Sequence, residues 1–301
     1  MNTHFNSWLH PKDIQLILAD LEAAPRRRFG QSFLVNEKAA GQIVDALELQ
    51  PQDIVLEIGP GLGALTGLMM GKVQKILSIE IDIKLSAFLK KRFENFPELH
   101  LLSADCLEVD LTHILTKLTS ELSSGALKVV GNLPYRISTQ ILFKFLECPI
   151  HPERMVMAFQ WEVAERLMGK PNTKDYGALT LITRFYAEVR KLLRLKPTLF
   201  YPEPEVETGV LEFRHRVLDL GLPSDSKEQL FGLIKSGFSQ RRKTLKNVWS
   251  HSPQLSFSGE KIEQALKLGG FDSKARAEDL TLQDFAKLLG ILSNMINTDK
   301  Y

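Results

Sequence analysis

An α/β fold with a mainly parallel sheet, followed by a small all-helical C-terminal domain, is predicted by three features of this 301-residue chain. Short, almost continuous apolar runs recur through the first two thirds, as strands buried on both faces do. Stretches with helical spacing separate them, the alternation expected of parallel strands joined by crossovers. Past a polar stretch at Leu220–Asp225, the remaining patterns are helical.

Residues 1–25 read as a short amphipathic extension, with Ile14, Ile17, Leu18 and Leu21 at helical spacing. A basic and aromatic segment, Pro25-Arg26-Arg27-Arg28-Phe29-Gly30-Gln31-Ser32-Phe33-Leu34, leads to a helix over Ala39–Leu47. A buried strand is predicted at Asp53–Ile58 and further strands at Ile76–Ile79, Leu99–Ser103, Leu127–Val130 and Met155–Phe159, with a helix over Lys84–Phe93. Glu188–Leu193 and Gly209–Phe213 read as late antiparallel strands. Helices are expected over Lys227–Gly237, Arg241–Trp249, Gly259–Leu268 and Leu282–Leu289. The domains are therefore expected to be the extension 1–25, an α/β domain over 26–220 and a helical domain over 221–301.

Composition narrows the functional classes. A 44% hydrophobic and 25% charged content is that of a soluble globular protein. The net charge of +2 is too small to predict a nucleic-acid partner by itself. Cys106 and Cys148 lack metal-ligand spacing and suit a reducing compartment. No apolar run is long enough to span a membrane, and the first residues lack a secretory layout. A cytoplasmic protein without a membrane partner or a metal is expected, with a monomer as the default.

Three successive strand ends carry ligand-binding residue types. Gly59-Pro60-Gly61-Leu62-Gly63 follows the first strand and opens a helix, so that a ligand can approach the backbone closely. Its GxGxG spacing is not the GxGxxG of nicotinamide cofactors, and alone it reads equally well as a tight turn. Glu80 ends the second strand, about 20 residues past Gly59, where an acid can accept from ribose hydroxyls. Asp105 ends the third, where a carboxylate can accept from an adenine amine. Together they form a nucleoside cradle that resembles the Rossmann-like S-adenosylmethionine-dependent methyltransferases.

Asn132-Leu133-Pro134-Tyr135 ends the fourth strand. Alone, this tetrapeptide is equally a turn with a half-buried tyrosine. Beside the cradle it resembles the signature of enzymes that methylate exocyclic amines of nucleobases. The lone pair of such an amine is delocalised into the ring. An Asn132 side-chain oxygen and the Leu133 carbonyl can accept its N–H groups and favour a tetrahedral nitrogen. Pro134 stiffens the turn, and Tyr135 offers a stacking face for an extruded base. This route needs no strong general base.

With these residues in hand, the chain resembles the bacterial small-subunit (16S) rRNA adenine N6,N6-dimethyltransferases from about Arg26 to Leu289. The resemblance is carried by Arg28–Leu34, Leu56–Gly63, Ile79-Glu80, Ala104-Asp105 and Gly131–Tyr135. It continues through Glu162–Leu167, Tyr176-Gly177, Phe200–Val206, Phe238–Leu245 and Arg276–Leu280. It implies S-adenosylmethionine as methyl donor and two adjacent adenines in the 3′-terminal hairpin loop of 16S rRNA as substrate, within an immature 30S subunit. Carried over, the donor site comprises Ser32, Leu34, Gly59, Gly61, Glu80, Asp105 and Asn132. Phe200 is placed equally as a second stacking ring or as an ordinary core aromatic. Arg26, Arg27 and Arg28, and Arg241, Arg242, Lys243 and Lys246, become candidate phosphate contacts.

Five positions depart from the family pattern. Ser32 and Arg136 stand where Asn is usual, and Trp161, Ala178 and Glu205 stand where Lys, Arg and Lys are usual. The last three remove positive charge, so RNA is expected to be held mainly by a helix carrying Arg241–Lys246. Alternatives are a large-subunit rRNA methyltransferase of the erythromycin-resistance type and a non-catalytic ribosome-assembly factor. The intact strand-end residues argue against the second.

Overall fold

The computed structural model describes residues 8–21, 32–216, 218–252, 255 and 257–298. Strand β1 (Phe33–Leu34) pairs antiparallel with β8 (Phe200–Tyr201) in a small ribbon. The main sheet holds β2 (Ile54–Ile58), β3 (Lys75–Glu80), β4 (Leu99–Ser103), β5 (Leu127–Gly131), β6 (Arg154–Gln160), β7 (Ala187–Leu195) and β9 (Thr208–His215). Its order is β4-β3-β2-β5-β6-β9-β7. The neighbours from β4 to β6 are parallel, and β9 runs antiparallel to β6. Because β2 and β5 have every residue buried, alternation vanishes and the continuous apolar runs report the centre of the sheet.

Asp53 lies just outside β2, and its chemistry explains why. Its carboxylate accepts from the backbone of Gln50 and Ala126 and pairs with Lys128 at 2.6 Å. Burial pulls the Asp53 carboxyl upward, but these hydrogen bonds outweigh it and hold it below the usual value. The amino end of the sheet is thus closed by a satisfied ion pair, and its carboxyl end is left for ligands.

Helices α1 (Pro11–Asp20), α2 (Glu37–Asp45), α3 (Ala64–Met69), α4 (Ile83–Arg92), α5 (Leu111–Ser120) and α6 (Ser138–Leu146) accompany the first strands. Several start where the sequence supplies a cap: Asn36 accepts from Ala39, Asp82 from Lys84, and Asp110 from His113. They are followed by α7 (Trp161–Met168), α8 (Ala178–Tyr186), α9 (Lys227–Gly237), α10 (Leu245–Ser250), α11 (Gly259–Gly269) and α12 (Leu282–Thr298).

Two compact units result. One runs to Ala164 and takes up Glu188–His215; the other comprises Glu165–Ala187 and the chain from Arg216 onward. The segment 165–187, placed with the α/β domain by the boundary at 220, instead packs with the helices. Phe185 of α8 meets Phe231 of α9 edge-on at 5.0 Å, and the Tyr176 hydroxyl donates to the Leu280 carbonyl at 2.7 Å. The helix expected over Arg241–Trp249 is also corrected. Thr244 caps a helix that begins at Leu245, so Arg241, Arg242 and Lys243 sit in a turn. The last helix runs past the predicted Leu289 to Thr298.

Candidate active site

The carboxyl ends of β2, β3, β4 and β5 open into one cavity in the sheet-bearing unit. Its floor is the turn after β2, where Gly59 and Gly61 adopt left-handed backbone angles, φ +67° and +59°. A Cβ at Gly61 would crowd the Phe33 ring at 3.1 Å, and the positive φ itself disfavours any side chain, so the loop carries bare backbone at this point. Buried Arg92 of α4 holds the turn by donating to the Leu62 carbonyl at 2.6 Å. Burial lowers its guanidinium to about 10, so it remains charged at neutral pH.

Glu80, at the end of β3, is buried, and desolvation raises its carboxyl above the usual value. One oxygen accepts from the Asp82 N–H and the other from the Gly61 N–H, each at 3.0 Å. Two carboxylate oxygens offer about four acceptor sites, so the group retains capacity for a ligand beyond these backbone donors. Asp105 lines the same cavity and uses one oxygen to accept from Leu107 at 2.8 Å. Lys144 of α6 steadies this loop by donating to the carbonyls of Cys106, Leu107 and Val109 at 3.0, 2.6 and 2.6 Å.

Asn132 is tethered across 100 residues of sequence. Its side-chain nitrogen donates to the Ser32 carbonyl at 3.2 Å. With the amide reversed, two oxygens would face each other, so this contact fixes which end of the carboxamide stays available as an acceptor. The Ser32 hydroxyl donates to the Pro202 carbonyl at 2.6 Å. Leu133 and Pro134 line the cavity, as do Ser32 and Leu34. Tyr135 lines it too, with its hydroxyl 2.5 Å from Thr208 Oγ1 and its pKa raised by burial.

Phe200 does not join them. Pairing of β1 with β8 sets it opposite Leu34, and it is 3% exposed in the core with Val130, Ala158 and Val210. Of its two expected roles, the core aromatic is the one this packing supports. Arg26, Arg27 and Arg28 lie outside the described residues. Arg241, Arg242, Lys243 and Lys246 belong to the helical unit. Two of these cations are engaged within that unit: Arg241 donates to the carbonyls of Thr173 and Lys174 and reaches Glu278, and Lys246 pairs with Glu263.

Two contributors to the cavity were missed in the sequence. Glu57, in the middle of β2, accepts from Thr66 and Ser78 at 2.7 and 2.8 Å, and burial pushes its carboxyl up to about 7. An acid inside an otherwise apolar strand was the available signal. The other is α1, started by Pro11 and by Asp13 accepting from the His10 N–H. Its buried Ile14 and Leu18 pack with Phe33, Leu62 and Leu85, and Trp8, Leu9 and Ile14 line the cavity. Trp8 donates to the Val35 carbonyl at 3.1 Å, and Lys84 to that of Leu21 at 2.8 Å. The described part of the extension, residues 8–21, is therefore a wall of the site.

Residues 23–294 match the family described as ribosomal RNA adenine dimethylase. The chain belongs to that family. The small subunit methyltransferase A of Syntrophotalea carbinolica is 40% identical to this dimethylase-family chain, over 89% of the chain and 97% of the relative. Among solved structures, the 23S rRNA methyltransferase ErmE is 26% identical with a TM-score of 0.64, covering 87% of this chain and 99% of that one. A dimethyladenosine transferase from Plasmodium falciparum is 22% identical with a TM-score of 0.70, covering 87% and 98%; it shares the fold. This dimethylase therefore has relatives named for both ribosomal subunits, with the higher identity on the small-subunit side.

Proposed function

We propose that this dimethylase transfers methyl groups from S-adenosylmethionine to N6 of two adjacent adenines in the 3′-terminal hairpin loop of 16S rRNA. We take its substrate to be an immature 30S subunit, and the enzyme to be a cytoplasmic monomer. Among the described residues, no helix is long and apolar enough to cross a membrane.

The observation that carries the reading is the Asn132 carboxamide, oriented by Ser32 and lining the glycine-turn cavity. The cavity fits the donor. Bare backbone at Gly59 and Gly61 admits a close-packed ligand, Glu80 retains acceptor capacity for a ribose diol, and Asp105 stands ready for an adenine amine. Bound there, S-adenosylmethionine supplies an electrophilic methyl group on a sulfonium sulfur.

The remaining chemistry belongs to the protein. Asn132 Oδ1 and the Leu133 carbonyl accept the N–H groups of the target amine, which draws its nitrogen toward a tetrahedral shape and frees the lone pair. Thr208 fixes the Tyr135 hydroxyl, so the ring stands as a rigid face for the extruded base. The amine proton becomes acidic once the nitrogen is alkylated, so solvent can take it. For the second transfer one N–H remains, and one of the two acceptors suffices.

The test is methyl transfer to isolated immature small subunits and to large-subunit RNA, with N6-dimethyladenosine mapped in rRNA from cells with and without the protein. Dimethylation of the two small-subunit adenines, absent without the protein, is expected. Transfer confined to large-subunit RNA would establish the erythromycin-resistance type instead, and no transfer to either would leave an assembly factor.

A further inference from the structure

We propose that the outer strand β7, together with the Trp161 ring beside it, is a docking surface for the phosphate backbone of ribosomal RNA flanking the target loop. The proposal rests on the rRNA reading above.

Residues 188–196 carry four cations, Arg190, Lys191, Arg194 and Lys196, against the single acid Glu188, in a chain whose net charge is only +2. β7 is the last strand of the sheet, and all four cations are exposed. Guanidinium and ammonium groups are donors without acceptors, the complement of phosphate oxygens. Cations spaced along an outer strand and its end suit an extended polyanion.

The patch is tied to the candidate active site through neighbouring groups. Arg194 lies 4.1 Å from the centre of the Trp161 ring, and the Lys191 ammonium 5.8 Å from it. The Trp161 backbone N–H donates to the Glu207 carbonyl at 2.8 Å, and the Glu207 side chain pairs with Arg194. The neighbouring register pair is Gln160 with Thr208, and Thr208 holds the Tyr135 hydroxyl. Gly209 makes room for the indole: a Cβ there would lie 3.2 Å from Trp161 Cε3 and 2.5 Å from Ala164 Cβ.

At Trp161 the chain presents an aromatic face with two cations drawn to it, and β7 supplies the positive charge around that face. Edge-strand lysines and arginines also discourage strand addition by another chain, and that role alone requires no link to RNA. The stacking on Trp161, joined through Glu207 and Thr208 to the Tyr135 anchor, is what favours RNA.

The experiment uses the full chain with the substitutions Arg190→Glu, Lys191→Glu and Lys196→Glu combined; Arg194 is kept because it pairs with Glu207. Binding to isolated immature small subunits is measured across salt concentrations, and S-adenosylmethionine binding by calorimetry. Affinity at low salt should fall at least ~10-fold, and the slope of log K against log salt should shrink by about 0.7–0.9 for each phosphate left unneutralised. Donor affinity should not change, and the corresponding triple Gln variant should fall between. An unchanged slope in both variants, with the wild type still binding and methylating small subunits, overturns this proposal alone. Equal losses of donor and RNA binding in the Gln variant also overturn it. A wild type that neither binds nor methylates small subunits sinks the rRNA reading and this proposal with it.

Discussion

The Asn132 carboxamide is held by the Ser32 carbonyl, 100 residues away in sequence, at 3.2 Å. One bond thus couples the segment before β1 to the turn after β5 and sets the direction of an acceptor. A carboxylate at this position has no N–H to donate and would face the Ser32 oxygen. Asn132→Asp and Asn132→Ala are both expected to lower kcat by about 100-fold or more, the scale seen when an oriented transition-state contact is removed. Donor affinity should stay within a few-fold of wild type. Single-turnover methylation and calorimetry check the two halves, and normal turnover in either variant would refute the role given to Asn132.

The wall made by α1 predicts a defect in donor binding. Ile14 and Leu18 are buried against Phe33, Leu62 and Leu85, and Phe33 lies against the Gly61 backbone. An Asp at either position would bury an unpaired charge, which costs more than docking the helix can return. Ile14→Asp and Leu18→Asp should therefore release the helix and weaken S-adenosylmethionine binding about 10-fold, a loss of about 1.4 kcal/mol. Titration calorimetry reads it. Unaltered donor affinity in both variants would show that the wall has no part in holding the ligand.

Glu57 predicts the pH dependence of stability. Burial pushes its carboxyl up to about 7, with neighbouring Glu80 acting in the same direction, against hydrogen bonds from Thr66 and Ser78. The folded protein therefore holds this proton more tightly than the unfolded chain, whose value is about 4.3. The contribution is complete below roughly pH 4 and is lost as pH rises toward 7. Glu57→Gln keeps an acceptor oxygen for Thr66 and Ser78 and removes the titration. Denaturant midpoints measured over this window should decline for the wild type relative to the variant, and parallel curves would contradict the assignment.

Much of the sheet was legible in advance because burial leaves a local imprint. β2, β3, β5 and β6 read as apolar runs, and their boundaries moved by one residue at most, as at Asp53. β4 matched its expected span, but as the outer strand of the sheet it has no buried residue. The glycine turn was legible for a similar reason: left-handed backbone at Gly59 and Gly61 is a local demand that glycine meets. The helix start at Leu245 was less legible, since a basic run such as Arg241–Lys243 suits a helix as well as a turn. Thr244 accepting from Asn247, with Leu245 N–H donating to Ala275, settled it.

Strand and helix type, the candidate ligand residues at the strand ends and the Asn-Leu-Pro-Tyr turn were legible from residue type, side-chain periodicity and backbone preference, which act over a few residues. Packing chose the rest. It sent Phe200 into the core, made the N-terminal helix a wall of the cavity, engaged Arg241 with the Thr173 and Lys174 carbonyls, and drew Lys191 and Arg194 over Trp161. Each of these depends on groups far apart along the chain meeting once apolar surface is buried, and local pattern carries no record of such partners.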